Sequence, residues 1–169
     1  PTVYQPIPFT EFRDVPSARD CYGRLKLILD SIDPHGLRVL DIGCSLGYFS
    51  FELAKRGARV TGIDADGQLV YIADRIRDLY GLEMDFRQGF LDADLVKNLG
   101  HHDVVIMFSI LHHITVKDGL ADNLVSTILS DTNRHYWICG DKGVSQIRLS
   151  ESDPVPVQIV KQFNKRTGL

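Results

Sequence analysis

The sequence LRVLDIGCSLGYF at residues 37–49 gives the strongest indication of the fold. Its first six residues are mostly apolar and stop at Gly43, which is typical of a parallel strand buried on both faces. Small residues at Gly43, Ser45 and Gly47 then allow the backbone to turn sharply, and Phe49 opens a helical pattern. The stretch therefore predicts a strand, a turn and a helix, with the turn and the helix-opening N–H groups close to a ligand.

The rest of the chain continues this alternation of strands and helices. Further strands are predicted at residues 58–63, 83–87, 103–108 and 135–139, and short ones at 146–149 and 155–160. Helices are predicted over about 17–31, from Phe49 to Gly57, and over 69–79, 92–99 and 118–130. Ser17 and Asp20 resemble a capping box for the first helix. The order predicts a Rossmann-like, doubly wound α/β fold, with a mostly parallel sheet and helices on both faces.

Length and composition fit one globular domain of 169 residues, of which 44% are hydrophobic and 24% charged. We interpret residues 1–16, which contain three prolines, as an N-terminal arm and residues 17–169 as a single domain. Only 29 residues follow Gly140, so we expect a shortened C-terminal hairpin region. The chain is accordingly interpreted as part of a larger polypeptide or assembly.

Charge and cysteine content narrow the classes of function. A net charge of −3 does not indicate a nucleic-acid partner, and no apolar run approaches the roughly 18 residues that span a bilayer. Three widely separated cysteines without a CxxC pair favour a reducing cytoplasm over a zinc site. The doublets His101–His102 and His112–His113 would direct their rings to opposite faces of a strand, so no metal is expected.

Carboxylates end the first two predicted strands. Asp41 closes the first strand and Asp64 closes the second. In an open parallel sheet, ligands bind at the carboxyl ends of the strands, where an acid can accept hydrogen bonds from both hydroxyls of a ribose. The pair therefore predicts a nucleoside-containing ligand.

Three kinds of protein use a turn of this type. The dinucleotide-binding motif needs glycine at its third and sixth positions, where Ser45 and Tyr48 stand, so NAD and FAD are disfavoured. Residues 43–47 also match G-x-S-x-G, the nucleophile elbow of serine hydrolases, with Ser45 as nucleophile and His112 or His113 as base. An elbow normally follows several earlier strands, whereas here it follows the first.

The third kind rests on a resemblance. Residues 39–47, 60–64 and 108–114 resemble motif I, motif II and the fourth-strand signature of class I S-adenosylmethionine-dependent methyltransferases. The resemblance implies S-adenosylmethionine as cofactor and S-adenosylhomocysteine as product. It implies a cofactor site formed by Asp41, Gly43, Cys44, Ser45, Gly47, Asp64, Ala65, Phe90, Leu91 and Ser109. Asp64 would hold the ribose, Ala65 and the 89–91 segment would flank the adenine, and Ser109 would lie beneath the sulfonium.

A finer resemblance concerns the acceptor. Residues 18–21, 24–25 and 47–64 are similar to the methyltransferase domain of bacterial O-antigen chain-terminating enzymes. It implies a saccharide or phosphosaccharide acceptor faced by Arg19, Arg24 and His112, although other small molecules with an O or N nucleophile fit the fold equally. His113 is the candidate catalytic base. The alternatives are a cofactor-binding but inactive scaffold domain and the serine hydrolase.

Overall fold

The computed structural model describes residues 2–19, 21–90, 95, 98, 100, 102–108, 135–140, 143–149 and 157–163, the last three ranges as backbone only. The chain divides into two compact units, Pro1–Gly89 and Phe90–Leu169. Each unit is described in turn.

The first unit contains a parallel sheet of three strands. Strands β1 (Arg38–Ile42), β2 (Arg59–Asp64) and β3 (Met84–Gln88) follow the order β3-β2-β1. All of β1 after its first residue is buried, which explains its apolar sequence. Parallel pairing aligns Asp41 with Gly62 and Asp64 with Gln88, so the carboxyl ends of β1 and β2 meet at one edge. The predicted parallel arrangement of these strands is confirmed.

Three helices accompany this sheet: α1 (Tyr22–Leu29), α2 (Tyr48–Ala54) and α3 (Gly67–Tyr80). Helix α2 is apolar around most of its circumference, and its phenylalanines are buried. Asp66 caps the start of α3, where its side chain accepts a hydrogen bond from the N–H of Gln68, and Gly81 caps its end in the left-handed conformation. The helix predicted over 69–79 is confirmed.

Two details of the helices differ from prediction. Helix α1 begins at Tyr22 rather than near Ser17, because the backbone of Ser17 pairs with Val3 and its hydroxyl donates to the carbonyl of Arg19. The helical period of Leu69, Ile72, Ala73, Ile76 and Leu79 predicts that these residues form the apolar face of α3. The helix instead buries Val70, Ala73 and Ile76, whereas Ile72 and Leu79 are exposed. Ile72 and Leu79 lie on one side of the buried stripe of α3, so periodicity alone gave a face rotated from the true one.

The N-terminal residues form a closed loop rather than an extended arm. Val3 donates to the carbonyl of Pro16 and accepts from the N–H of Ala18. A short 3₁₀ helix, Thr10–Phe12, lies within the loop.

The second unit contains strands β4 (Val104–Phe108), β5 (His135–Gly140), β6 (Gly143–Leu149) and β7 (Val157–Phe163). β4 pairs parallel with β5, whereas β5–β6 and β6–β7 are antiparallel. The predicted strands of this half are confirmed, and its last two form the hairpin region. Leu95 and Asn98 have helical backbone, in agreement with the predicted helix at 92–99. The helix predicted at 118–130 lies outside the described residues.

Among the described residues, no helix combines the length and the apolar character needed to cross a membrane.

Candidate functional site

The turn after β1, residues 43–47, bends through three left-handed residues. Gly43, Ser45 and Gly47 have φ of 73°, 54° and 82°. Ser45 is the one non-glycine residue with positive φ among the described residues, a conformation that costs an L-residue about 1–2 kcal/mol. The prediction that small residues let this backbone bend sharply is confirmed. We call residues 43–47 the glycine turn.

The N–H groups of the glycine turn are bonded within the protein. Those of Gly43 and Cys44 both donate to the carbonyl of Ile63, at 2.8 and 3.0 Å, and that of Gly47 donates to Cys44 at 2.9 Å. The turn is therefore fixed to the end of β2. These bonded donors are distinct from the N–H groups that open helix α2, which are the ones predicted to face a ligand.

Asp64 joins the two strand ends. Its Oδ2 accepts from the N–H of Ser45 at 2.8 Å, and its Oδ1 accepts from the N–H of Asp66 at 3.0 Å. Each carboxylate oxygen has two lone pairs, so each keeps one acceptor position after these bonds. The side chain is only partly buried. Asp64 therefore has the acceptor capacity and the accessibility that two vicinal ribose hydroxyls require.

Asp41 is buried and accepts from helix α2. It is 2% exposed, and the hydroxyl of Ser50 donates to its Oδ2 at 2.7 Å. The backbone N–H of Ser50 bonds to the same carboxylate, which therefore satisfies one of the first N–H groups of α2. Burial raises the pKa of Asp41 to about 6, against the opposing effect of both Ser50 bonds. Ser50 is a site residue that sequence reasoning missed.

The pKa of Asp41 predicts a stability change with pH. The folded pKa of about 6 exceeds the usual 3.8, so the folded state binds the extra proton between these values. The resulting stabilisation is complete below pH 4 and is lost as the pH rises through 6. The shift of about two units in the pKa of Asp41 corresponds to about 3 kcal/mol of free energy of unfolding. Urea unfolding should show that the wild-type chain loses about 3 kcal/mol of its free energy of unfolding between pH 4 and pH 7, relative to Asp41→Asn. If the difference in free energy of unfolding between the two proteins did not change with pH, the prediction would be wrong.

Gly47 and Gly62 both lie against one aromatic ring. A Cβ on Gly47 would lie 2.6 Å from Cζ of Phe86, and a Cβ on Gly62 would lie 2.7 Å from its Cδ1. Phe86 is 7% exposed, so its ring has little room to move away. Position 47 therefore requires glycine for two reasons: the turn needs a positive φ, and the Phe86 ring leaves no room for a Cβ. Phe86 was not predicted as a site residue, although the alternating burial of β3 is consistent with its inward position.

Cys44 is a packing residue. It is 1% exposed, and burial raises the pKa of its thiol, with a further increase from Asp41 and Asp64. A thiol that resists ionisation is a poor nucleophile. The interpretation of Cys44 as a small packing residue agrees with this environment.

The remaining predicted residues are placed as follows. Ala65 is exposed directly after β2, and its carbonyl accepts from the side-chain amide of Gln88 at 3.2 Å. Phe90 is 73% exposed. Arg19 precedes α1, rather than lying on it, and its guanidinium lies 5.3 Å from the ring centroid of Tyr4; Arg24 lies on α1. Four others lie outside the described residues: Leu91, Ser109, His112 and His113.

Two alternative chemistries find no support in the described part of the chain. No three His, Cys, Asp or Glu side chains there are grouped as metal ligands. Residues 2–19 and 21–37 contain no strand other than the isolated Val3–Ser17 bridge, so the described sheet does not provide the earlier strands of a nucleophile elbow.

Comparison with known proteins identifies the family. A family model described as "Methyltransferase domain" matches residues 39–128, just over half of the chain, and includes the glycine turn, Asp64 and β4.

Curated relatives agree with this match. The O-antigen chain terminator bifunctional methyltransferase/kinase WbdD of Escherichia coli is 33% identical over 128 residues, which cover 71% of this chain. The chain spans 18% of the length of that relative. A ubiquinone biosynthesis O-methyltransferase of Maricaulis maris is 37% identical over 79 residues, covering 47% of this chain and 31% of the relative.

Solved structures share the fold. A crystal structure of WbdD superimposes with a TM-score of 0.71 at 28% identity, covering 82% of this chain and 33% of that one. Magnesium protoporphyrin IX methyltransferase from Synechocystis, solved with bound SAH, gives 0.56 at 27% identity, covering 68% of this chain and 51% of that one. The predicted Rossmann-like α/β fold is confirmed, as is S-adenosylmethionine as cofactor. The chain belongs to the methyltransferase-domain family, that of the class I S-adenosylmethionine-dependent methyltransferases.

Proposed function

We propose that this chain transfers the methyl group of S-adenosylmethionine to an oxygen atom of a saccharide or phosphosaccharide. The name of one relative, an O-methyltransferase, supports an oxygen acceptor, and the name of another, an O-antigen chain terminator, supports a saccharide. The observation that carries the cofactor placement is the Asp64 carboxylate, which is tied to the glycine turn and retains one acceptor position on each oxygen.

The cofactor site that we propose lies at the carboxyl ends of β1 and β2. Asp64 accepts both ribose hydroxyls, and exposed Ala65 lies beside the adenine. The methionine end is held at the first strand end by the residues of the glycine turn together with Asp41, whose position is fixed by Ser50. The other proposed contacts are Phe90 and Leu91 at the adenine and Ser109 at the sulfonium.

The residues of this chain contribute orientation more than chemical reactivity. When bound, the cofactor supplies an electrophilic methyl group on a sulfonium, which an aligned nucleophile attacks in line. The glycine turn is held by hydrogen bonds from four of its backbone N–H groups, three to carbonyls and one to the Asp64 carboxylate, so the groups around it are fixed before a ligand arrives. Such preorganisation favours transfer because donor and acceptor are aligned without further ordering.

Cationic and basic residues form the proposed acceptor side. Arg19 is exposed, so it can face an anionic acceptor, and Arg24 and His112 are proposed beside it. His113 is proposed to accept the proton of a hydroxyl acceptor. A phosphate acceptor is already an anion and needs no base.

The experiment is a methyl-transfer assay with an O-antigen oligosaccharide and its phosphorylated form, monitored by S-adenosylhomocysteine release and by mass of the product. We expect methylation of oxygen, and His113→Ala should reduce kcat on a hydroxyl acceptor about 100-fold or more while leaving cofactor affinity unchanged. His35→Ala, an exposed histidine outside the proposed site, is the control. Unchanged kcat in His113→Ala on the hydroxyl acceptor would remove that residue from the mechanism. Cofactor binding without transfer to any acceptor would favour the scaffold alternative.

A further inference from the structure

An aromatic residue of the closed N-terminal loop, residues 3–17, packs against the helices of the first unit. Phe9 stacks on Tyr80 of α3, with ring centroids 3.6 Å apart and planes 9° from parallel. The ammonium of Lys55, at the end of α2, lies 4.1 Å from the centroid of the same ring. Phe9 is thus held between a ring and a cation, and a cation over the face of a ring is a favourable arrangement.

Polar bonds reinforce this attachment on both sides of Phe9. The ammonium of Lys55 donates to the carbonyl of Pro8. The hydroxyl of Tyr80 donates to Oε2 of Glu11 at 2.5 Å. The neighbours of Phe9 are therefore fixed to the same two helices, which specifies where its ring lies.

A continuous series of rings leads from Phe9 to the glycine turn. The edge-to-face pair of Phe9 and Phe51 has centroids 5.2 Å apart, and the pair of Phe51 and Phe86 has centroids 5.4 Å apart. We call Tyr80, Phe9, Phe51 and Phe86 the aromatic stack. Its last ring lies against Gly47, where a Cβ would approach both Phe86 and Phe51, the latter at 3.1 Å.

We propose that Phe9 is a positioning residue for the cofactor site, acting through Phe51 and Phe86 on the glycine turn. The inference rests on the proposed placement of the cofactor at that turn. Close-packed rings transmit a displacement because they leave few voids into which a neighbour can move. With Phe9 in place, Phe51 and Phe86 are confined, and Gly47 is held in the conformation that the cofactor requires. Without it, Phe51 loses its edge-to-face contact with the Phe9 ring, and the turn samples other conformations.

The test compares Phe9→Ala with Tyr71→Ala, which removes an exposed ring from α3 that contacts Arg75 instead of the stack. S-adenosylhomocysteine binding is measured by calorimetry at a temperature where each variant is folded. Phe9→Ala should weaken binding about 3- to 10-fold, the value of an aromatic pair, and Phe9→Tyr should restore it. Amide hydrogen exchange at residues 43–47 of the ligand-free protein should accelerate in Phe9→Ala. Tyr71→Ala should change neither quantity.

Lys55→Gln provides a second variant if Phe9→Ala does not fold. It removes the cation from the exposed side of the Phe9 ring and should weaken binding about two- to fivefold. Affinity and turn exchange equal to wild type in the folded variant would overturn the inference. Asp64→Ala separates this failure from that of the cofactor placement. If Asp64→Ala abolishes binding while Phe9→Ala has no effect, only the role of Phe9 is wrong; if neither variant weakens binding, the cofactor placement is wrong as well.

Discussion

Replacing Gly47 by alanine is expected to reduce the free energy of unfolding by about 2–5 kcal/mol, of which the left-handed φ accounts for about 1–2 and overpacking for about 1–3. The φ of Gly47 is +82°, and the added Cβ would lie 2.6 Å from Cζ of Phe86. Phe86 cannot withdraw without disturbing Phe51, which is 0% exposed. The substitution therefore forces either the glycine turn or the core to shift.

Gly36 offers a matched control for this substitution. Its φ is +76°, but a Cβ there would meet no atom within 4 Å. Gly36→Ala should therefore cost only the conformational contribution, about 1–2 kcal/mol. Urea unfolding of both variants isolates the packing contribution of Phe86. Equal losses in the two variants would show that Phe86 does not confine the turn.

Replacing Asp64 by alanine is expected to weaken binding of S-adenosylhomocysteine by at least about 100-fold, since two hydrogen bonds to a charged group are lost. The substitution also removes the hydrogen bonds that the N–H groups of Ser45 and Asp66 donate to this carboxylate in the wild-type chain. The turn thus loses one of its three links to the end of β2, at the place where the ribose is proposed to bind, and keeps the bonds of Gly43 and Cys44 to Ile63. Both effects act in the same direction on affinity.

Asp85 provides the control for Asp64. Its carboxylate is 63% exposed and pairs with Arg87 at 3.3 Å on the surface. Exposed pairs of this kind contribute little, so Asp85→Ala should bind the product like wild type. Calorimetric titration of the two variants side by side measures the contrast. A less than threefold change in Asp64→Ala would mean that the ribose binds elsewhere.

The parts of the fold and site that sequence predicted are those fixed by local pattern. The apolar run before Gly43 forms the first strand, and the acid at position 64 ends the second. Parallel pairing brings the carboxyl ends of these two strands together. The left-handed residues of the turn could also be predicted from sequence, because glycine and small polar residues are the ones that tolerate positive φ. These features depend on neighbours within a few positions of the chain.

The parts that sequence did not predict depend on contacts between distant segments. Ser50 becomes the partner of Asp41 only when α2 folds back over β1, and nothing in its local sequence distinguishes it from a surface serine. Phe86 reaches Gly47 only across the strand pairing of β2 and β3. Phe9 lies 71 positions from Tyr80, and no periodicity links an N-terminal loop to the end of a helix. Ser17 matched a capping pattern, yet its backbone instead pairs with Val3.

Binding of S-adenosylmethionine at the carboxyl ends of β1 and β2 can be examined by titrating the folded chain with S-adenosylhomocysteine while recording backbone amide resonances, with NAD as control. We predict saturable binding in the micromolar range, no binding of NAD, and the largest shifts at residues 43–47 and 64–66. If the folded chain bound no S-adenosylhomocysteine, or if the amide resonances of both segments stayed unshifted, the cofactor would not bind at the ends of β1 and β2.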